Sequence, residues 1–472
     1  MSENSLTALP YVFRPGGPGY DDEVAGFQLG FSPRPEVVVG ATGADDVRVA
    51  VAHAAAHGLP VGVQATGHGV PAAAEGGLLI TTKRMDGVRI DPGARTARIE
   101  AGVRWRQVVE AAGPHGLAPL NGSAPGVGAV SYLLGGGLGL LAREFGYAAD
   151  HVRALDVVTA DAKLRHVTPA SDPDLFWALL GGGHNFGVVT GLEVGLVPVA
   201  RLYGGALLFD GGLRDQVVRT YLDWVDTVPD TVTSSLAVMV YPDMEQIPAF
   251  LRGRYTLSIR VAFNGDTAAG ERLVAPLRAI GPVITDSLRE MPYTESATIH
   301  SDPEFPHAYW GDGAMLSGLD APTLTDLLEL TGPGAPTMCI VQLNPLGGAL
   351  AKEPAAPNAV PHRGAAFLIR GLSPLAGPDL GTVRELYGRF FGRLAPVTVG
   401  RSLNFVFGDG ARTEGLYDEA TAARLAGLKA HYDPANLFRR NYNIRPAGDA
   451  PRQREQPAGA ARNLAPGRGR GC

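Results

Sequence analysis

Only two cysteines occur among the 472 residues, Cys339 inside an apolar run and Cys472 at the last position. That excludes a disulfide framework and any CxxC metal pair. No Gly-Lys pair occurs anywhere, which excludes a P-loop, and neither HExxH nor GxSxG is present. The nearest approach to a dinucleotide fingerprint, Gly126-Val127-Gly128-Ala129-Val130-Ser131, is not followed by the βαβ period that such a fingerprint needs. No apolar run reaches the roughly 18 residues of a membrane span. Met1 to Pro10 lacks both the basic region with apolar core of a Sec leader and a twin-Arg pattern, so a cytoplasmic protein is expected. The formal net charge of −6 gives no electrostatic reason to bind nucleic acid or an anionic membrane.

Glycine and proline are abundant, with 63 and 37 residues dispersed along the chain, and they predict many turns in a globular protein. The length exceeds one ordinary core and predicts two to three domains. In the N-terminal part, Val37–Val39, Leu59–Val63 and Leu78–Thr81 read as strands. A helix between the first two carries Val47, Ala50, Val51 and Ala54 on one face and ends at Gly58. Hairpins follow at Val88–Ala101 and Leu155–Val167, with a short helix from Trp105 between them. The stretch from Gly122 to Gly139 shows no regular period. Ser171 with Asp174 resembles a capping box opening a helix through Phe176, Trp177 and Leu180. From about Val197 the character changes to strand-like runs (Gly204–Asp210, Leu236–Tyr241, Tyr255–Asn264, Thr337–Leu343, Ala366–Gly371) separated by helices, an antiparallel sheet carrying helices. A helix from about Glu419 to His431 precedes a segment through Ile444. The tail beyond Pro446 lacks apolar content and reads as disordered.

His68 stands between glycines just after the Leu59–Val63 strand. Two further glycine-rich stretches, Gly135-Gly136-Gly137-Leu138-Gly139 and Gly181-Gly182-Gly183-His184-Asn185-Phe186-Gly187, allow backbone to approach a large flat or phosphate-bearing ligand closely. Read singly, each also has a plainer reading, a tight turn between short strands. His53 and His57, four apart on the first helix without a third ligand, read as exposed structural histidines, and no metal is expected.

Taken in order, Pro15-Gly16-Gly17-Pro18-Gly19-Tyr20, Thr66-Gly67-His68-Gly69, the second glycine stretch, Asp172-Pro173-Asp174-Leu175-Phe176-Trp177, Gly182–Gly187 and Tyr432-Asp433-Pro434 through Ile444 resemble the berberine-bridge-enzyme-like FAD-linked oxidases. The resemblance covers nearly everything from Pro15 to Ile444. It implies an α+β, two-domain PCMH-type FAD-binding fold of the vanillyl-alcohol-oxidase kind. Residues 1–197 and 403–447 would form the FAD domain and 198–402 an antiparallel substrate domain covered by helices, with 448–472 as the disordered tail. His68 falls on the family histidine that bonds to the flavin 8α carbon. The second link of many relatives, a cysteine before proline, is replaced by Ala124, so a single covalent bond is expected. A family histidine near the flavin N1–C2=O edge is replaced by Tyr132, and the usual arginine ahead of the linking histidine by Gln64. Both changes remove positive charge from beside the flavin.

The resemblance further implies cofactor contacts from Gln64, Ala65, Thr66, Gly67 and Gly69. Gly122, Ser123, Val127, Gly128, Ser131, Tyr132, Gly135, Gly136, Gly137 and Gly139 would add to them. So would Gly182, Gly183, Asn185, Gly187, Val188 and Val189 on the adenine and pyrophosphate side, and Asn441, Tyr442 and Asn443 beside the isoalloxazine. The implied reaction removes a hydride from a C–OH or C–N centre of a small, secondary-metabolite or glycosylated substrate to flavin N5, and dioxygen reoxidises the flavin to give hydrogen peroxide. Where relatives place a base after a Pro-His-Arg turn, here Pro361-His362-Arg363, the following strand offers only Arg370 and Gly371. Tyr442 and Tyr417 are the remaining candidates for the base. The missing acidic base leaves open a second reading, a flavin-binding enzyme catalysing a non-redox cyclisation or isomerisation.

Overall fold

The computed structural model describes residues 3–70, 74–375, 380–408 and 412–448. The tail read as disordered lies, from 449 onward, outside the described residues. Three sheets organise the described residues.

The first sheet has four strands, Val12–Phe13, Val37–Gly40, Leu78–Thr81 and Val61–Gln64 in spatial order, the last three parallel. Val37–Gly40 and Leu78–Thr81 are buried along their whole length, as central parallel strands are. The helix Ala44–His57 packs Val47, Ala50, Val51 and Ala54 on this sheet and stops at Gly58, whose φ of 66° a side chain would resist. His53 is buried rather than exposed, its ring 4.2 Å from that of His57. The heptad-like spacing that places Val47 and Ala54 inward carries His53 partly inward with them.

The second sheet is antiparallel, in the order Val88–Asp91, Thr96–Glu100, Val188–Gly195, Val152–Val158 and Leu164–Val167. Between its hairpins the Gly122–Gly139 stretch contains a helix, Ala129–Leu134, contrary to the sequence reading. Ala129, Val130, Leu133 and Leu134 do form one buried face, but six residues between glycines are too few to show a period. The helix Pro173–Gly182 is capped by Asp172, which accepts from the Leu175 N–H at 3.1 Å; Ser171 instead closes a turn with Thr168.

The third sheet has nine strands and collects residues 201–400. Four helices, Arg214–Val225, Thr267–Arg278, Ala321–Leu330 and Leu380–Leu394, cover one face. Strand alternation decides what that face receives. Leu257, Ile259, Leu236, Val238, Val341, Leu343 and Ile369 point to the helices. Their neighbours Arg260, Ser235, Gln342 and Arg370 therefore share the opposite face. The strand Tyr309–Leu316, with every residue buried, lies in this sheet beside Phe367–Pro374, although no element was read there. Its glycines obscure the β pattern; a side chain at Gly311 would meet the Gly371 carbonyl and Phe407.

The C-terminal segment returns to the first two sheets. Val61 N–H donates to the Leu437 carbonyl at 2.9 Å, so the chain's end lies along the strand Val61–Gln64. A buried ion pair holds the turn that makes this return. Lys429 Nζ lies 2.6 Å from Asp433 Oδ2 and donates to the Asn185 and Phe438 carbonyls, while Asp433 accepts from the Leu437 and Phe438 N–H groups. Both side chains are fully buried, and every charge-bearing atom has partners, as a buried pair requires.

Candidate functional site

A cavity of about 1600 Å³ lies between the first sheet, the helix and loop segments around residues 122–142 and 182–185, and the uncovered face of the large sheet. Pockets for drug-sized ligands measure roughly 300–1,000 Å³, so this space has room for a dinucleotide together with a second molecule. Most residues expected from the sequence do line it: Gln64 to Gly69, Gly122, Ser123, Val127, Gly128, Ser131, Tyr132, Gly135, Gly139, Gly182, Gly183, Asn185, Asn441 and Tyr442.

His68 sits on this wall with its ring flat against Phe27. Its Nδ1 is 2.8 Å from Thr66 Oγ1, and its carbonyl accepts from Tyr309 O–H at 2.5 Å. Burial, with the positive charge of Arg104 and the neighbouring His307, pushes its pKa down to about 4. The imidazole is thus neutral at pH 7, the form that acts as a nucleophile. A side chain at Gly69 would meet nothing, and one at Gly126 would meet only the His68 ring at 3.7 Å. These two glycines leave open space beside His68.

Several expected contacts lie elsewhere. Gly136 and Gly137 face Val360 and Tyr132, Gly187 faces the Val157–Val158 strand, and Val188 and Val189 are core residues. None of these five, nor Asn443, reaches the cavity. Their positions are fixed by packing: a Cβ at Gly137 would fall 2.4 Å from the Tyr132 ring. Tyr417 is also outside the wall, donating to the Gly181 carbonyl at 2.8 Å, with burial pushing its phenol well up. It is placed as a brace, not as a base. Tyr442 is on the wall, but its hydroxyl donates to the Val406 carbonyl at 2.5 Å. Asn185 spends its amide on the Gly182 and Tyr442 carbonyls and the Ile444 N–H, tying the third glycine stretch to the C-terminal segment. The two substituted positions are occupied as well: Gln64 donates to the Val24 carbonyl and Tyr132 to the Leu120 carbonyl. The Pro361-His362-Arg363 turn is structural, since Arg363 grips Asp150 at 2.6 and 3.1 Å and His362 Nε2 lies 2.9 Å from the Gly415 carbonyl.

Asn441, expected beside the cofactor, and residues given no role from the sequence complete the wall. His184 faces the cavity with Nδ1 buried and unpartnered, and burial pushes its pKa down to about 4. Asn441 Oδ1 is likewise buried without a partner. From the large sheet come Arg260, Gln342 and Arg370, and from the loop after Ile299 come His300 and Asp302. Asp302 is the one carboxylate among the described lining residues and accepts from Ser123 O–H at 2.5 Å. Burial opposes its charge, but the charges of Arg260 and Arg370 and the hydrogen bond from Ser123 outweigh burial and hold it below the usual carboxylate range. His300 is kept neutral, pushed down to about 3 by burial and by Arg260.

Open glycines beside a neutral histidine and unpartnered polar atoms at His184 and Asn441 fit a large, polar, flat cofactor such as FAD. Comparison with known proteins agrees. Residues 35–168 match the FAD binding domain family and residues 403–445 the family described as berberine and berberine like. The (R)-6-hydroxynicotine oxidase of Paenarthrobacter nicotinovorans is 28% identical over 440 residues, spanning 88% of this chain and 92% of that protein. The crystal structure of 6-hydroxy-D-nicotine oxidase from Arthrobacter nicotinovorans superposes with a TM-score of 0.80 at 25% identity, covering 92% of this chain and 97% of that one. Glucooligosaccharide oxidase from Acremonium strictum, which carries a 6-S-cysteinyl, 8α-N1-histidyl FAD, gives a TM-score of 0.80 at 19% identity, with 92% and 97% coverage. Among the described residues, no helix is long and apolar enough to cross a membrane.

Proposed function

The chain belongs to the berberine-bridge-enzyme-like FAD-linked oxidoreductases, and we propose that it oxidises a C–OH or C–N centre of a small molecule with FAD held covalently through His68 alone. Residues 1–197 with 403–447 are read as the cofactor half and 198–402 as the substrate half. The observation that carries the reading is His68: a neutral imidazole beside space left open by Gly69 and Gly126. Ala124 lines the cavity where a second, sulfur link would need a thiol.

Bound FAD supplies the two-electron acceptor for the substrate hydride, and dioxygen returns it to the oxidised state with release of hydrogen peroxide. The chain's own part is to place the substrate and receive its proton. We assign the proton to Asp302. It is the ionised carboxylate of the wall, fixed by Ser123, and a hydroxyl or amine donating to it would be oriented as its C–H bond breaks. Tyr442, also on the cavity wall, shapes the cofactor pocket through its contact with Val406 and Leu416. His184 and Asn441 offer the unpartnered atoms that a bound cofactor would satisfy.

The test is the mass of the intact purified chain together with oxygen uptake. The expected result is the polypeptide plus one FAD, reduced to the polypeptide alone in His68→Ala, with an alcohol or amine substrate bleaching the flavin in the absence of oxygen and peroxide forming when oxygen is admitted. Absence of flavin under native conditions would overturn the reading. Turnover without bleaching or oxygen uptake would replace it with the non-redox one.

A further inference from the structure

Arg260, Gln342 and Arg370 stand on three strands of the large sheet, on the face that the helices leave bare. The pairing brings them into one row: Arg370 lies opposite Gln342, and Gln342 opposite Ala237, two residues from Ser235, the partner of Arg260. Gln342 Oε1 accepts from both guanidiniums, from Arg370 Nη2 at 2.6 Å and from Arg260 Nη1 at 3.2 Å. Its own amide donates to Asn344 at 3.0 Å, which turns the oxygen toward the arginines. Two like charges therefore share one neutral acceptor, an arrangement that is repulsive unless something else neutralises it.

Nothing among the described residues does so fully. Neither Arg260 nor Arg370 forms an ion pair among the described residues, and the charged group that faces both of them is Asp302. His300 and Tyr241, which also border the group, are neutral, Tyr241 through burial of its phenol. Two cations against one carboxylate leave a net charge of +1 on this wall. Withdrawal from water lowers the pKa of both arginines, for Arg370 to about 10, so both remain charged at pH 7. Arg370 is braced from behind, its guanidinium 4.9 Å from the Phe405 ring centre. A charge held away from bulk water without a counterion is costly, and such uncompensated groups in a cavity mark the binding of an opposite charge.

We propose that the substrate is an anion, a monocarboxylate that also bears the oxidisable hydroxyl or amine, and that its carboxylate is received by Arg260 and Arg370. The inference rests on the oxidase reading above and deepens it. Planar guanidiniums match a carboxylate's two oxygens, and one negative charge completes the neutralisation of this wall. Asp302 beside them then faces the uncharged hydroxyl or amine, and by repulsion keeps the carboxylate on the arginines.

Benzoate and benzamide, alike in shape and different in charge, are the probes. Binding to the flavin-loaded protein is followed by the change in flavin absorbance and, independently of any flavin, by calorimetry. Benzoate should bind at least tenfold more tightly than benzamide, and inorganic phosphate, a dianion near pH 7.5, should bind more weakly than benzoate. Gln342→Glu places a permanent carboxylate between the two arginines. It should abolish the preference for benzoate while leaving flavin content unchanged. Arg370→Gln should weaken benzoate about tenfold. Equal binding of the two probes, binding of neither, preference for phosphate, or a Gln342→Glu protein that still prefers benzoate would each overturn the proposal. The wild-type comparison does not depend on any variant folding. A protein found without flavin would sink the oxidase reading, yet calorimetry would still report on the anion site.

Discussion

Phe27 lies face to face with His68, the ring centroids 3.8 Å apart and the planes 11° from parallel. Phe27 is itself fixed by its N–H on the Thr66 carbonyl and by the edge of His307. The imidazole plane is thus set before a flavin arrives, with Thr66 holding one ring nitrogen. Under the proposed link through His68, attachment would depend on that pre-set orientation, and loss of orientation of this kind costs about tenfold or more in rate. Phe27→Ala should therefore slow covalent attachment about tenfold without abolishing it. The measurement is the rise of the FAD-loaded mass when flavin-free protein is incubated with FAD. An unchanged rate would show that the stack has no part in attachment.

Two cavity histidines predict an acid-sensitive flavin-free protein. His68 and His184 have folded pKa values pushed from 6.5 to about 4. The unfolded chain takes up these protons first as pH falls. The stability that each contributes is whole above pH 6.5 and is lost between 6.5 and about 4. At about 1.4 kcal/mol per pH unit, the shift from 6.5 to about 4 bounds the part of that loss due to His184 at roughly 3.5 kcal/mol. Denaturant unfolding at pH 7 and at pH 4.5 should show a smaller difference for His184→Gln than for the wild type. Parallel pH profiles for the two proteins would rule out a buried neutral His184.

The turn at the chain's end should depend on its ion pair far more than surface pairs do. Removing one member strands the other without water. Lys429→Met is expected to cost about 3–5 kcal/mol. The double variant Lys429→Met/Asp433→Leu should recover part of this, because no lone charge remains. Because Lys429 also holds the Asn185 carbonyl, the single variant should release FAD more readily when His68 is Ala. A denaturation midpoint within experimental error of the wild type would contradict the burial described.

The cofactor edge of the cavity was legible because its signals are local. A histidine between glycines, and glycine runs a few residues long, are read in one glance along the chain. Packing glycines share that signature, which is why Gly136 and Gly137 were read as ligand contacts when they serve Val360 and Tyr132. The substrate wall has no local signal at all. Arg260 and Gln342 are 82 residues apart, Gln342 and Arg370 28, and Ser123 and Asp302 179. Only the pairing of strands brings them together. Arg370 stood out in the sequence merely as an unexpected residue where an acid or tyrosine was sought, and strand alternation supplies its meaning. The strand Tyr309–Leu316 escaped because its glycines were required by close neighbours, which composition does not record.

The proton acceptor is open to a direct comparison of three variants. Asp302→Asn keeps the shape and an acceptor for Ser123 but removes the charge. With a substrate that bleaches the wild-type flavin, it should slow anaerobic reduction about 10²–10⁴-fold, the usual contribution of a positioned base. Flavin content should not change, since Asp302 faces the cavity from the large-sheet side. Tyr417→Phe removes a donor to the Gly181 carbonyl and should cost about 1 kcal/mol of stability while leaving the reduction rate within twofold. Tyr442→Phe frees the Val406 carbonyl and should affect cofactor retention before it affects the rate. The distinguishing readout is the pH dependence of flavin reduction. In the wild type the rate should fall in acid as Asp302 takes up a proton, below the ordinary carboxylate range because its pKa is lowered. In Asp302→Asn that acid limb should vanish. Were Tyr442→Phe to abolish reduction instead, with the acid limb intact in Asp302→Asn, the base would be the tyrosine and Asp302 only a neighbour of the arginines.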